Sequence, residues 1–488
     1  MMRFAPALGL VALLSTASCT VRGDSGNIDV SIIGDRFALP DPDRSALTLP
    51  DKILAGTVSQ GLVALDADGR VEPALAESWI VTADGLSTIF RIRAAEWRDG
   101  VPITGDDAAK SLNRTIAANS RNPVKPLLTA VESFVGMTGR VVEVRLRTPR
   151  PNLLQLLAQP ELAVRRDGSG IGVFRIAAMS RRRVRLVPSV NDEDPVPPVF
   201  DPVVLRADRA AMAIRRFTTG DSVLVMGGTF ADWPVLREAG ARPGRVRFDP
   251  VQGLFGLALV GKSSFLASND VRAALAMAID RSALAAAFRL PGWTTTDAVL
   301  PAQLDSALPV ARPDWSGSTI AQRRADASAR IANWRQGVGS VAPLRLALPA
   351  GPGMRLLFAR IAADWRRIGV RAVAVPIGSR DADLRLIDAV APNTSANWFL
   401  TTLSCAAGLV CDARGDADLE ASRAADTLVQ RSARIADADA ALAARASFIA
   451  LGVPMRWSLV DPRLSGWQEN VLGAHPLSAL RPPRPKEI

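Results

Sequence analysis

Between residues 61 and 107 the chain reads Gly61-Leu62-Val63, Asp66-Ala67-Asp68-Gly69, Pro73-Ala74-Leu75-Ala76-Glu77-Ser78-Trp79, Asp84-Gly85-Leu86, Phe90-Arg91-Ile92-Arg93, Trp97-Arg98-Asp99-Gly100 and Thr104-Gly105-Asp106-Asp107. Asp84-Gly85 and Asp99-Gly100 are turn pairs, because Asp bonds its own backbone and Gly reaches positive φ at no steric cost. Residues 86–93 and 141–146 alternate apolar and polar side chains, so each is a half-buried strand. Trp79, Phe90 and Trp97 are expected in the core. Asp106 or Asp107 caps a helix over 108–118 by accepting its free N–H groups. Asp66-x-Asp68-Gly69 has the opening of a calcium loop but lacks the later Glu, and reads as a hairpin turn. This stretch describes a scaffold and says little about a ligand.

Further along, Ser268-Asn269-Asp270-Val271-Arg272 leads into a helix over 271–288, with Asp270 as cap and Ala274, Leu275, Ala278 and Ile279 as its apolar stripe. Residues 342–348, 354–368 and 370–375 alternate strand, helix, strand, which favours a parallel α/β sheet. Residues 28–33 and 454–460 read as strands, 203–225 as strand, helix, strand, and 417–451 as helix. The proline-rich stretch 188–202 reads as a surface connection, and the residues after 480 as a loose tail. A chain of 488 residues exceeds what one core supports, so at least two lobes are expected.

The formal charge is +11, carried by arginines that are scattered except at Arg181-Arg182-Arg183. That is a composition bias; nucleic acid would need a basic stripe on one recognisable module, and none is present. Arg3, the apolar residues 7–14 and the small residues 15–18 form an export signal over 1–18. Cys19 after Ala17-Ser18 resembles a bacterial lipoprotein processing site, with 19–27 as tether; ordinary cleavage is the alternative. Outside the cytoplasm Cys405 and Cys411 are expected to form a disulfide, with free thiols or a metal pair as alternatives. His475 is the only histidine. No metal site, no cofactor, no Ser/His/Asp arrangement and no Gly-x-Ser-x-Gly elbow is legible, so no enzyme is expected.

The 61–107 series, the 268–281 block with Pro301 beyond it, the step from Ile361 to Val373 and the strand Gly170-Ile171-Gly172-Val173-Phe174 together resemble the peptide/nickel-binding (family 5) solute-binding proteins of ABC importers. The resemblance runs over roughly residues 28–480. It implies an α/β, two-lobed periplasmic binding protein (class II-like). Lobe I would hold 27–48, 169–250 and 452–488, an inserted subdomain 49–168, and lobe II 251–451. It implies a monomer capturing a peptide or similar small solute for an ABC permease, which with Cys19 would be a lipoprotein on the periplasmic side of the membrane, or soluble in the periplasm if Cys19 is not lipidated. Ligand contacts would come from Thr48 and Leu49 in lobe I and from Asp388, Val390, Pro392 and Trp398 in lobe II, although Trp398 also reads as core. The family aspartate that meets a peptide's amino terminus falls on Pro392, with Asp388 four residues earlier as the substitute. A binding-fold lipoprotein without a transport role (a sensor or chaperone-like factor) and a nickel or metallophore binder are the alternatives.

Overall fold

A computed structural model describes residues 27–481 except 190–200, 262, 291, 303, 305–308 and 426. The signal, Cys19, most of the tether and the tail after 481 lie outside the described residues, as does most of the 188–202 connection. The strands in chain order are β1 (Ile28–Ile33), β2 (Val63–Leu65), β3 (Val71–Pro73), β4 (Ala76–Val81), β5 (Ser87–Ile92), β6 (Val131–Gly136), β7 (Val141–Leu146), β8 (Phe174–Met179) and β9 (Arg183–Pro188). They continue as β10 (Val203–Asp208), β11 (Leu224–Gly228), β12 (Val246–Asp249), β13 (Gly253–Leu259), β14 (Leu344–Leu348), β15 (Ala372–Pro376), β16 (Leu384–Val390), β17 (Phe448–Gly452) and β18 (Arg456–Val460).

Two sheets dominate. A seven-stranded sheet has the order β12-β18-β11-β1-β10-β9-β8, and a five-stranded sheet the order β15-β14-β16-β13-β17. In the first, β1 lies parallel to β10 on one side and β11 on the other. In the second, β14 lies parallel to β15 and β16, and β13 runs antiparallel to its neighbours. The chain is therefore two α/β lobes, crossing from one sheet to the other between β12 and β13 and again between β17 and β18. A separate four-stranded antiparallel sheet, β4-β5-β7-β6, lies between β1 and β8 in sequence, beside the β2-β3 hairpin.

The alternation in 86–93 and 141–146 becomes the pairing of β5 with β7, with Phe90, Ile92, Val142 and Val144 buried. Trp79 is only half-buried, because β4 is the sheet's edge and turns most of its side chains to water. The helix Gly105–Ile116 starts three residues earlier than expected, with Thr104 rather than Asp106 or Asp107 as its cap. Thr104 Oγ1 accepts from Asp107 N at 3.2 Å and Asp107 Oδ2 accepts from Thr104 N at 3.0 Å, a reciprocal capping box. The helix expected over 271–288 is two, Asn269–Ala278 and Arg281–Phe288. Asp280 Oδ1 accepts from Ala283 N at 2.9 Å and starts the second helix afresh. The 417–451 stretch likewise divides into Ala413–Arg423, Leu428–Arg445 and β17, with Thr427 capping the second helix and Ala446 ending it at φ 44°.

Among the described residues the core divides into three apolar clusters. One lies under the seven-stranded sheet around Val30, Ile32, Leu54 and Leu205. A second joins the two lobes beside the crossings through Phe230, Phe255, Phe288 and Trp457. The third packs the four-stranded sheet unit, through Leu127 and Leu128 among others, with Trp398, Phe399 and Leu403 of the second lobe.

Candidate functional site

In an open parallel sheet a ligand lies beyond the carboxyl ends of the strands, where neighbouring connections leave in opposite directions. β1 is that strand here, with β10 and β11 on its two sides. Leu49 lies over this edge: a Cβ built on Gly227, at the end of β11, would come 2.4 Å from Leu49 Cδ2 and 3.4 Å from Ile33 O. Leu49 keeps 39% of its surface exposed. Thr48 is exposed, and its hydroxyl is committed to capping the helix Leu49–Val58, donating to Asp51 Oδ2 at 2.7 Å. Asp51 in turn accepts from Ala38 N and Leu39 N, at 2.8 and 2.7 Å, which fixes the backbone around this edge.

The second lobe presents the ends of β14 and β16 to the same seam. Gly353, just past β14, donates its N–H to Ala231 O at 3.0 Å, just past β11. A Cβ on Gly353 would sit 1.7 Å from Phe230 O, so only glycine allows this approach. Phe230 stacks on Phe255 at 4.3 Å and meets Trp293 edge-on at 4.7 Å. Trp293 Nε1 donates to Val453 O at 2.8 Å, and Trp457 Nε1 to Thr229 O at 3.1 Å. The lobes are thus joined beside both crossings by a dry aromatic block. Within this block, burial pushes the Asp232 carboxyl up to about 6, against a hydrogen bond from Thr229.

Asp388 does not face an open seam. Its Oδ1 accepts from Arg456 Nη1 at 2.7 Å and its carbonyl from Arg456 Nη2 at 3.1 Å. Side-chain exposures of 12% and 20% keep this pair largely out of water. Arg456 opens β18 and Asp388 lies near the end of β16, so the pair clasps one sheet to the other. Sequence reading missed Arg456; its partner is 68 residues away, with no local signal between them.

Val390 is half-buried and pairs with Gly253, and Ala391 N donates to Gln252 O at 2.9 Å. Pro392 follows, half-buried, and ends the strand because it has no N–H to offer. Ser395 then caps the helix Ala396–Thr402. Trp398 on that helix is 9% exposed and meets Phe399 edge-on at 4.9 Å, inside the third apolar cluster. The structure therefore brings Thr48, Leu49, Val390 and Pro392 to the strand ends, and places Asp388 in a clasp and Trp398 in packing.

Cys405 and Cys411 are joined as a disulfide with their Cα atoms 5.1 Å apart. The loop they close connects the helices Ala396–Thr402 and Ala413–Arg423. His475 is engaged within its own surroundings: its Nε2 is 3.0 Å from Asp249 Oδ2, and its ring stacks on Trp467 at 4.7 Å.

With this geometry in place, residues 70–403 match the family described as bacterial extracellular solute-binding proteins, family 5. The chain belongs to that family. Among curated proteins it is 30% identical over 138 residues to a probable deoxycholate-binding periplasmic protein of Escherichia coli K12, covering 23% of this chain and 26% of that one. It is 21% identical over 316 residues to the periplasmic oligopeptide-binding protein of Haemophilus influenzae, covering 57% and 58%. These matches span from about a quarter to somewhat over half of the relatives' length. Among solved structures, the E. coli murein tripeptide binding protein superposes with a TM-score of 0.82 at 18% identity, over 93% of this chain and 98% of that one. The H. influenzae oligopeptide-binding protein in complex with the peptide RPPGFSPFR gives 0.82 at 18% identity, over 94% and 99%.

Proposed function

We propose that this family 5 chain captures a peptide or similar small solute between its lobes, outside the cytoplasm, and delivers it to an ABC permease. One observation carries the reading. The carboxyl ends of β1 and β11 in one sheet and of β14 and β16 in the other converge on one seam, with Gly353 hydrogen-bonded to Ala231 across it. Closing such a seam removes water from a bound solute and strengthens its polar contacts. Thr48 and Leu49 on one edge and Val390 and Pro392 on the other would hold an extended ligand mainly through main chain. The names of the relatives, which cite oligopeptides, a murein tripeptide and deoxycholate, support a solute of this size.

In this reading the lobe boundaries run at 48/49, 168/169, 250/251 and 451/452, with 49–168 as an inserted unit. Cys19 carries a lipid anchor that holds the chain, as a monomer, beside its permease. Asp388 is spent on Arg456, so a free peptide amino group gains no counter-charge there. His475 is engaged by Asp249 and Trp467 inside lobe I, so nickel would have to arrive within a ligand of its own. Isothermal titration with pools of di- to pentapeptides tests the reading: saturable heat is expected. Silence across all pools, with heat from an unrelated solute, would overturn it. For the anchor, Cys19→Ser should move the chain from the membrane to the soluble fraction; unchanged partitioning contradicts lipidation.

A further inference from the structure

The turn Lys125–Leu127 and the start of β6 border a cavity of about 330 Å³ on the four-stranded sheet unit. Its lining comes entirely from residues 116–147, so it lies apart from the strand ends of the seam. That volume is at the small end of what encloses a small molecule. Leu128 and Val131 are buried and, with half-buried Ile116, give the cavity an apolar floor.

Three charged side chains line the same cavity, and they stand in different states. Lys125 is spent on the end of the helix Gly105–Ile116, its Nζ donating to Ala117 O at 2.6 Å and to Ala118 O at 3.0 Å. Arg147 is exposed; its main-chain N donates to Ala130 O at 2.8 Å and its Nη1 to Thr129 O at 3.3 Å, which leaves most of the guanidinium fork uncommitted. Glu132 is exposed and sits on an irregularity of the sheet. Val131 pairs with Leu146 and Ser133 with Arg145, so Glu132 is the extra residue of β6. Such a bulge re-aims a side chain out of the strand's alternation. Arg147 and Glu132 thus line one cavity with opposite charges, yet they form no ion pair with each other, and among the described residues neither has another charged partner.

Two uncommitted opposite charges over an apolar floor match a zwitterion. A guanidinium takes a carboxylate through two parallel N–H···O bonds, and a carboxylate takes an ammonium through charge-assisted ones. Because both charges line one small cavity, the ligand's own charges must lie close together, as they do on the single Cα of a free amino acid. An aliphatic or aromatic side chain laid on Leu128 and Val131 gains about 25 cal/mol for each Å² taken from water. We propose that this cavity is a second small-molecule site, taking the zwitterion of an apolar α-amino acid, with its carboxylate on Arg147, its ammonium on Glu132 and its side chain on Leu128 and Val131. The site is independent of the solute-binding reading, since none of its residues belongs to the seam.

Calorimetric titration of the full mature chain with leucine, methionine and phenylalanine tests it, and saturable heat is expected from at least one. The amide of that amino acid lacks the carboxylate and its N-acetyl derivative lacks the ammonium. Each should bind about ten- to a hundredfold more weakly, the range for one charge-assisted hydrogen bond. Arg147→Gln and Glu132→Gln should each weaken the parent amino acid by the same factor, and leave the melting temperature of the unliganded chain and the heat of any peptide unchanged. Silence to all three amino acids would overturn the proposal. So would wild-type affinity in either variant, which would put the binding outside this cavity. Amino-acid heat lost in both variants alongside silence to every peptide would sustain the cavity and defeat only the peptide reading; peptide heat without amino-acid heat would do the reverse.

Discussion

The two ends of the seam between the lobes are closed by different means. Beside the crossings, Phe230, Phe255, Phe288 and Trp293 interlock, and two indole N–H groups are satisfied by Val453 O and Thr229 O. Arg456 and Asp388 clasp the sheets there with their charges matched. At the far end, where the four-stranded sheet unit meets the helix Ala396–Thr402, Leu127 and Leu128 pack with Trp398, Phe399 and Leu403, and Arg423 ties that helix to the one behind it. The first end is complete without any ligand, which suits a pivot. Among the described residues the second carries no chain crossing and is held by side-chain packing alone, which suits a contact that can part. A hinged binder needs both, because a seam stable along its whole length would never open and one unstable along its whole length would never close.

The largest effect is expected at the pivot. Phe230→Ala removes the ring on which three other aromatics pack and should cost about 3–5 kcal/mol in urea denaturation. A loss below about 1 kcal/mol would mean the pivot is not built on that ring. Next, Asp388→Ala leaves Arg456 largely buried without its counter-charge and should cost roughly 2–4 kcal/mol. Peptide affinity should change little, which distinguishes a clasp from a ligand contact; a large affinity loss at unchanged stability would restore Asp388 to the binding surface.

At the far end the disulfide tethers the loop between the two helices that carry Trp398 and Arg423. Cys405→Ser should cost about 2 kcal/mol, the loop-closure value for so short a ring, and should loosen the helix Ala396–Thr402, and with it ligand binding beside Pro392, before it disturbs the pivot. Unchanged stability and binding in that variant would show the tether to be idle.

The smallest effect is one of pH. The Asp232 carboxyl is raised to about 6 in the fold, chiefly by burial, against about 3.9 when unfolded. The fold therefore prefers it protonated. The stability this group contributes is fully present below about pH 4 and is lost as pH rises through 6. Asp232→Asn should remove roughly 1–2 kcal/mol of that decline between about pH 4 and 7, after allowance for partial exposure. Parallel stability profiles for the two proteins would contradict the burial argument.

Much of the scaffold was legible. Alternation in 86–93 and 141–146 became β5 and β7, and the strand–helix–strand pattern at 342–375 became β14, the helix Pro352–Arg367 and β15. The misread boundaries came from side chains that compete with the helix: Asp280 begins a new helix where an apolar stripe suggested one continuous element, and Thr427 does so within the alanine-rich 417–451 stretch. The site was less legible, for a different reason. Thr48, Leu49, Val390 and Pro392 came from the family resemblance, and no local pattern of their own marks them as ligand contacts. The fate of Asp388 depended on Arg456, 68 residues away; such a pairing is set by how the sheets pack, and no local spacing announces it.

The most direct test is a crystal structure of the chain purified from its native source without added ligand. The account predicts electron density for a small solute beyond the carboxyl ends of β1 and β16, with Leu49 on one side and Pro392 on the other. A seam packed solid by the chain's own side chains, ligand-free and identical in solutions with and without peptide, would contradict it.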